Sequence, residues 1–280
     1  MRPSPFVKWA GGKAQLLSQF EPYLPCELAR YIEPFVGGGA MFFHLHNQGR
    51  LAGKEPVLID SLEELINAYR VVQGQVEVLI DALQVHERHK LDAEYYYQVR
   101  GWDRSDDYDE RTAVERAARF VYLNRTCYNG LYRVNRRGQF NVPFGRYRNP
   151  RVCDAQNLRA VHHALQGVSL LVGDFNRCLE VVKRGDLVYL DPPYHPLSDK
   201  ANFTSYTPAD FGIEDQRRLA GLFRELDRRG CRVMLSNSAT DLIRELYFGY
   251  RQVEVWANRA ISSRGDGRGA IAELLVMNRF

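Results

Sequence analysis

Short apolar runs and helical periodicities alternate at both ends of this chain. Residues 31–35 (YIEPF) run into Gly37-Gly38-Gly39, and residues 57–60 (VLID) end in an acid. The signal returns later at 168–175 (VSLLVGDF), 186–194 (DLVYLDPPY), 231–238 (CRVMLSNS), 250–256 (YRQVEVW) and 272–278 (AELLVMN). Runs of this length, bounded by turn residues, predict buried strands. Helical spacing precedes Phe20, continues through Met41, Phe42 and Leu45, covers about 154–166, and runs from Gly212 to about Arg229. Strands alternating with helices imply a parallel α/β sheet.

The middle of the chain follows another pattern. LEELINAYRVVQ, from Leu62, opens a helical region that continues with breaks to about Asn124. Residues 129–147 read as a β-hairpin with turns at Arg137-Gly138 and Pro143-Phe144-Gly145. The sheet is therefore expected from 1–61 and 160–280, with 62–159 as an inserted helical and β-hairpin domain.

Composition narrows the class. A chain of 280 residues suits one large domain or a domain with an insertion. Its hydrophobic share of 45% and mean hydropathy of −0.39 exclude a mainly disordered chain. No apolar run approaches the roughly 20 residues that span a bilayer. The opening MRPSPFVKWAGGK lacks a signal-peptide core, so an intracellular, cytoplasmic location is expected. Five scattered cysteines with no C-x-x-C argue against a disulfide framework or a zinc ribbon. His86 and His89 share a helix face without the H-E-x-x-H pattern, so no metal is expected. Pro25-Cys26 precedes the glycine loop, the wrong place for a Pro-Cys nucleophile.

The net charge of +4 conceals a lopsided distribution. Nine arginines and no acidic residue lie between Arg116 and Arg151. Tyr122, Tyr128, Tyr132, Phe140, Phe144 and Tyr147 are interleaved with them. Arginine among aromatics suits phosphate contacts and base stacking, so nucleic acid is the expected partner.

Three motifs carry candidate chemistry. In Glu33-Pro34-Phe35-Val36-Gly37-Gly38-Gly39-Ala40 a strand turns through glycines into a helix, aiming backbone N–H groups at a ligand. Asp60 ends the next strand, where a carboxylate suits ribose hydroxyls. Asp174-Phe175 ends another strand and offers an acceptor and a ring to a nucleoside. Asp191-Pro192-Pro193-Tyr194 follows LVYL at the strand edge where ligands bind in open α/β sheets. The exocyclic amine of adenine is a poor nucleophile, because its lone pair is delocalised into the ring. The Asp191 carboxylate and the Pro192 carbonyl, both accepting from that amine, would draw it toward sp³ geometry while Tyr194 stacks on the base. Such a pocket needs the base out of the helix and the amine in line with an activated methyl.

With these residues in view, the chain resembles the Dam-type DNA adenine methyltransferases. The match rests on KWAGGK (8–13), EPFVGGGA (33–40), NRTCYNGLYRVNRRGQFNVPFGRY (124–147), DPPY (191–194), ANFTSYTPADF (201–211), LSNS (235–238) and ISSRGDGRG (261–269). The resemblance implies a doubly wound Rossmann-like methyltransferase sheet with an antiparallel strand near the C-terminus. It also implies transfer from S-adenosyl-L-methionine to adenine N6 in double-stranded DNA.

By the same resemblance, Trp9, Lys13, Phe35, Gly37, Gly39, Asp60, Asp174, Phe175 and Asp191 border the cofactor. Asp191, Pro192 and Tyr194 are catalytic. Lys8, Tyr128, Asn129, Leu131, Arg133 and Pro143 touch bases or fill the gap left by a flipped adenine, and Arg146 and Tyr147 grip the backbone. Members with YNGLxR here are similar to those that recognise GATC. The same chemistry at another sequence, a target in RNA or a protein amide, and an inactive DNA-binding relative stay open. A monomer is expected, and a restriction endonuclease partner stays open. Two positions depart from the family pattern: Leu62 stands where Asn is common, and His195 follows DPPY.

Overall fold

The computed structural model describes residues 1–9, 11, 13–196, 211–258 and 270–280. Ala10 and Gly12 of KWAGGK, the stretch ANFTSYTPAD and the stretch ISSRGDGRG lie outside the described residues.

Seven strands form one sheet: β1 (Tyr31–Glu33), β2 (Val57–Asp60), β3 (Ser169–Val172), β4 (Leu187–Leu190), β5 (Arg232–Ser238), β6 (Arg251–Asn258) and β7 (Ala270–Met277). Their order is β3-β2-β1-β4-β5-β7-β6. The first five strands pair in parallel, and β7 runs antiparallel between β5 and β6, as expected. The order reverses between β1 and β4, so a crevice opens at their carboxyl ends. That edge carries the glycine loop and Asp191.

The strands are apolar on both faces because both faces are covered. Tyr31, Leu58, Leu187, Tyr189, Met234 and Leu275 point into one core, and Ile32, Val57, Val188, Val233, Leu235 and Leu274 into the other. The alternation is the period of two along each strand. The first core receives α1 (Leu17–Phe20), α2 (Ala40–Asn47), α3 (Glu63–Gly74), α4 (Val76–Arg88), α5 (Ala93–Gly101), α6 (Ala113–Thr126) and α7 (Ala155–Ala164). The second receives α8 (Ile213–Arg228) and α9 (Asp241–Leu246). In α8, Leu219, Leu222, Phe223 and Leu226 share one face, while Glu214, Arg217, Arg218 and Arg228 remain in solvent.

Local chemistry sets the helix starts. Thr112 and Glu115 form a reciprocal capping box at α6, and Asp92, Asp154 and Thr240 cap α5, α7 and α9. Leu62 occupies the cap position of α3 and supplies no side-chain bond. Its N–H is met instead by Asp60 Oδ1 at 3.0 Å, and its side chain packs on the core.

The stretch 129–147 departs from its expected form. The chain doubles back, but pairing shrinks to isolated bridges between Cys127 and Phe144 and between Val134 and Phe140. The reason is local. Asn129 stands in the left-handed region at φ 55°, and Pro143 has no N–H to give a ladder. The far turn is tied by a side chain, because Asn135 Oδ1 accepts the N–H groups of Arg137 and Gln139 at 2.9 and 3.1 Å.

Candidate active site and DNA-facing surface

The carboxyl edge of β1 and β4 gathers four acids. Glu33 ends β1 and is buried, and its Oε2 has no hydrogen-bond partner among the described residues. Burial pushes its carboxyl well above the usual range, and the charges of Asp191 and Asp60 add to this. Asp60 ends β2. Its Oδ2 accepts the Gly37 N–H at 3.1 Å, so the acid at one strand end braces the loop at the other. Burial raises its carboxyl too, opposed by the backbone N–H groups of Leu62, Gly37 and Ser61.

Two glycines of this loop are sterically required. Gly37 has φ 46°, and a Cβ there would meet the Trp9 ring at 2.5 Å. A Cβ on Gly39 would meet the Tyr69 hydroxyl at 2.8 Å. Trp9 thus packs on the glycine loop and stacks on Tyr132 at 6.3 Å between centroids, joining the loop to the segment 129–147.

Asp191 is the most connected group of the site. Its Oδ1 receives Lys13 Nζ at 2.9 Å and the Ser236 hydroxyl at 2.9 Å. Lys13 also donates to the Gly11 carbonyl at 2.5 Å and lies over the Tyr194 ring at 4.4 Å. The Tyr194 hydroxyl donates to Glu273 Oε2 at 2.6 Å, which sets the ring between strand edge and β7. Burial raises the Glu273 carboxyl, opposed by that bond and by the charge of Lys13. Lys13, expected from the resemblance to border the cofactor, is bound to Asp191.

Sequence reasoning missed Glu273, Ser236 and the orphaned Glu33. Glu33 and Ser236 lie inside quoted motifs, EPFVGGGA and LSNS, yet neither was given a role. Glu273 carried no signal, because only strand pairing brings β7 beside Tyr194. His195 is anchored on all sides. Its N–H meets Asn237 Oδ1 at 3.2 Å, its carbonyl accepts from Ser238 Oγ at 2.7 Å, and its ring Nδ1 lies 3.3 Å from Thr240 Oγ1.

Asp174 and Phe175 stand at the end of β3. Phe175 is buried, with Phe35 stacked on it at 5.4 Å and the Arg218 guanidinium 4.9 Å from its ring. Arg218 also pairs with Asp174 at 3.2 Å. The predicted acceptor and ring are thus together, both held by one arginine.

Lys8, Tyr128, Asn129, Leu131 and Tyr147 converge around the turn after α6. Buried Asn124 accepts the Lys8 N–H at 2.7 Å and donates to the carbonyls of Lys8 and Gly130 at 2.7 and 3.2 Å. The Lys8 ammonium lies 3.8 Å from the Tyr147 ring centre, and burial with the nearby Arg125 charge lowers its pKa. Tyr128 and Asn129 are exposed at the tip, and the Tyr128 N–H donates to the Pro143 carbonyl at 2.9 Å. Pro143 and Arg146 are exposed, and Arg133 Nε donates to Asn141 Oδ1 at 2.7 Å.

The arginine tract needs a correction. The tract is not one continuous nucleic-acid surface, because three of its nine arginines point inward. Arg116 pairs with Glu64 at 2.5 Å, Arg119 with Asp103 at 2.8 Å, and Arg125 donates to the Phe6 carbonyl at 2.7 Å. A guanidinium on a packed helix is kept only where acids and carbonyls satisfy it. His86 is likewise a core residue. Its ring stacks on Tyr122 at 4.8 Å, and Nδ1 lies 2.9 Å from the Tyr95 hydroxyl.

A parallel sheet of this order, with an antiparallel seventh strand and an acidic carboxyl edge beside a glycine loop, defines a Rossmann-like methyltransferase. Residues 9–261 match the family model of the D12 class N6 adenine-specific DNA methyltransferases, and the chain belongs to that family. It is 47% identical to the type II methyltransferase M.MjaIII of Methanocaldococcus jannaschii, over 99% of this chain and 100% of that protein. It is 42% identical to the type II methyltransferase M1.LlaDCHI of Lactococcus lactis subsp. cremoris, over 98% of this chain and 95% of the other. It is 35% identical to a DNA adenine methylase of Vibrio cholerae, over 97% and 95%. The protein is an adenine-specific DNA methyltransferase. Among the described residues, no helix is long and apolar enough to cross a membrane.

Proposed function

We propose that this enzyme transfers a methyl group from S-adenosyl-L-methionine to N6 of an adenine flipped out of double-stranded DNA, within GATC. The observation that carries the reading is Asp191 at the switch-point edge, held by Lys13 and Ser236 beside Tyr194. The tract YNGLYR supports GATC.

The residues at the edge fit S-adenosylmethionine. Glu33 offers an unpaired buried carboxylate oxygen to a cationic group. Asp60 retains lone pairs for ribose hydroxyls, and Asp174 for an adenine amine. Phe35, Phe175, Trp9 and Lys13 supply the walls, and the glycine loop admits close approach at Gly37 and Gly39. S-adenosylmethionine, when bound, supplies an activated methyl on a sulfonium.

The other steps belong to the protein. Asp191 and the Pro192 carbonyl accept the two hydrogens of the target amine and expose its lone pair. Tyr194 stacks on the flipped base and holds N6 in line. The surplus proton of N6 is accepted at the Asp191 carboxylate. Lys8, Leu131 and Arg133 read base edges, Tyr128, Asn129 and Pro143 fill the gap, and Arg146 and Tyr147 hold the backbone. In this reading 1–61 and 160–280 perform the chemistry, and 62–159 recognises the target. One flipped base at a time suits a monomer, acting in the cytoplasm on nucleoid DNA.

The test is transfer of labelled methyl to three duplexes: GATC, a scrambled sequence, and GATC carrying N6-methyladenine on both strands. Label in the first alone is expected. Equal label in the first two would remove the sequence assignment. Label in none would remove GATC as the target.

A further inference from the structure

The DPPY turn has a fastening problem. Its two prolines carry no N–H, so the turn cannot tie itself down with backbone donors. It nevertheless presents acceptors at a half-buried edge, where donors from neighbouring elements hold it in place. The partners come from β5 and α8. Gln216, fully buried, donates to the Pro193 carbonyl at 3.0 Å. Ser236, fully buried, donates to Asp191 Oδ1 at 2.9 Å, and Lys13 donates to the same oxygen.

Ser236 has one proton, and the carboxylate is the stronger acceptor. The Tyr189 hydroxyl, 3.0 Å from Ser236 Oγ, must therefore donate to it. Tyr189 lies on β4, two residues before Asp191, and is itself buried. The result is a directed chain, Tyr189 to Ser236 to Asp191 Oδ1, running across two neighbouring strands. Two acceptors of the turn receive no donor from any described residue: Asp191 Oδ2 and the Pro192 carbonyl. An adenine amine has two N–H donors.

We propose that Ser236, oriented by Tyr189, is a positioning residue that fixes the Asp191 carboxylate so that Oδ2 and the Pro192 carbonyl form the acceptor pair for the target amine. The proposal rests on the adenine reading above. Without the Ser236 hydroxyl, Lys13 alone holds Oδ1, the carboxylate loses one of its two donors, and the amine loses its fixed approach while both ligands keep their other contacts.

The experiment compares wild type with Ser236→Ala, Tyr189→Phe and the double variant, using a GATC duplex and S-adenosylmethionine. Single-turnover transfer, the Kd of each ligand and the melting temperature are measured. Ser236→Ala is expected to slow transfer about 10–100-fold, the cost of misplacing a reacting group, with each Kd within about twofold of wild type. Tyr189→Phe should slow transfer less. The double variant should be no slower than Ser236→Ala, because Tyr189 acts only through Ser236. Ser236→Thr, which keeps the hydroxyl, should recover transfer.

Wild-type transfer by Ser236→Ala, multiplied losses in the double variant, or a loss carried by ligand affinity would each overturn the proposal. Should Ser236→Ala fail to fold, Tyr189→Phe decides: a transfer rate equal to wild type sinks the relay. No label on adenine from the wild type would instead bring down the underlying reading.

Discussion

In the proposed reading the edge at Asp191 and the tip at Tyr128 both meet DNA, yet they are organised in opposite ways. Around Asp191, buried side chains are paired with one another: Ser236 with Tyr189, Gln216 with Asn237, Tyr194 with Glu273. Around the tip, the side chains of Tyr128, Asn129, Arg136, Arg137 and Arg146 have no partner among the described residues. A reacting group held in a satisfied network needs no reorganisation when substrate arrives. A reading surface must stay solvated until DNA supplies its partners, so its donors cannot be engaged beforehand. The tip therefore rests on a rigid base, with Asn124 below it and the His86–Tyr122 stack deeper in the helices.

The largest test of that contrast is Asp191→Ala. It should reduce single-turnover transfer by at least about 10³-fold while DNA affinity stays near wild type. Near-normal turnover would remove Asp191 from the chemistry and dissolve the comparison.

Next comes the rigid base. Burial lowers the His86 pKa from 6.5 to about 4, so the folded protein keeps this ring neutral. The unfolded chain takes up a proton as pH falls through 6.5. Stability therefore declines from about pH 6.5 downward and levels off near 4, by about 3 kcal/mol in total from this residue. Urea unfolding of His86→Phe should show a flatter pH dependence in that window. An unchanged slope would place the acid sensitivity elsewhere.

Arg133→Ala should cost about 1–3 kcal/mol on the cognate duplex and relax discrimination at one base pair. A loss equal across all sequences, read by competition binding, would make Arg133 a phosphate contact. The smallest effect is expected for Arg137→Ala. It should weaken binding uniformly and reduce the salt dependence, d log K/d log[salt], by about 1. Altered sequence preference would move Arg137 from backbone to base readout.

The fold was largely legible because buried strands leave a strong mark. Each of the seven runs became a strand, since neighbours such as Leu187 and Val188 are both apolar and enter opposite cores. Short α9 was not legible, because six residues with one buried Ile243 carry little periodicity. The hairpin was legible as a reversal but not as a loose one, since turn residues announce a turn without announcing how much ladder survives.

Sequence alone determined the candidate residues for chemistry and the order in which they appear: the glycine loop, the strand-end acids Asp60 and Asp174, the arginine tract and DPPY. These are local facts, because strand-end acids, glycine turns and prolines act within a few residues of chain. Only the tertiary structure decided which of them meet. Lys13 reaches Asp191 across 178 positions of sequence, Glu273 reaches Tyr194 through the antiparallel β7, and Arg116, Arg119 and Arg125 turn inward from a tract in which Arg136, Arg137, Arg146, Arg148 and Arg151 are exposed. Pairing of distant polar groups is set by strand order and by the demand that buried charge be satisfied, and neither is written in the spacing of residues along the chain.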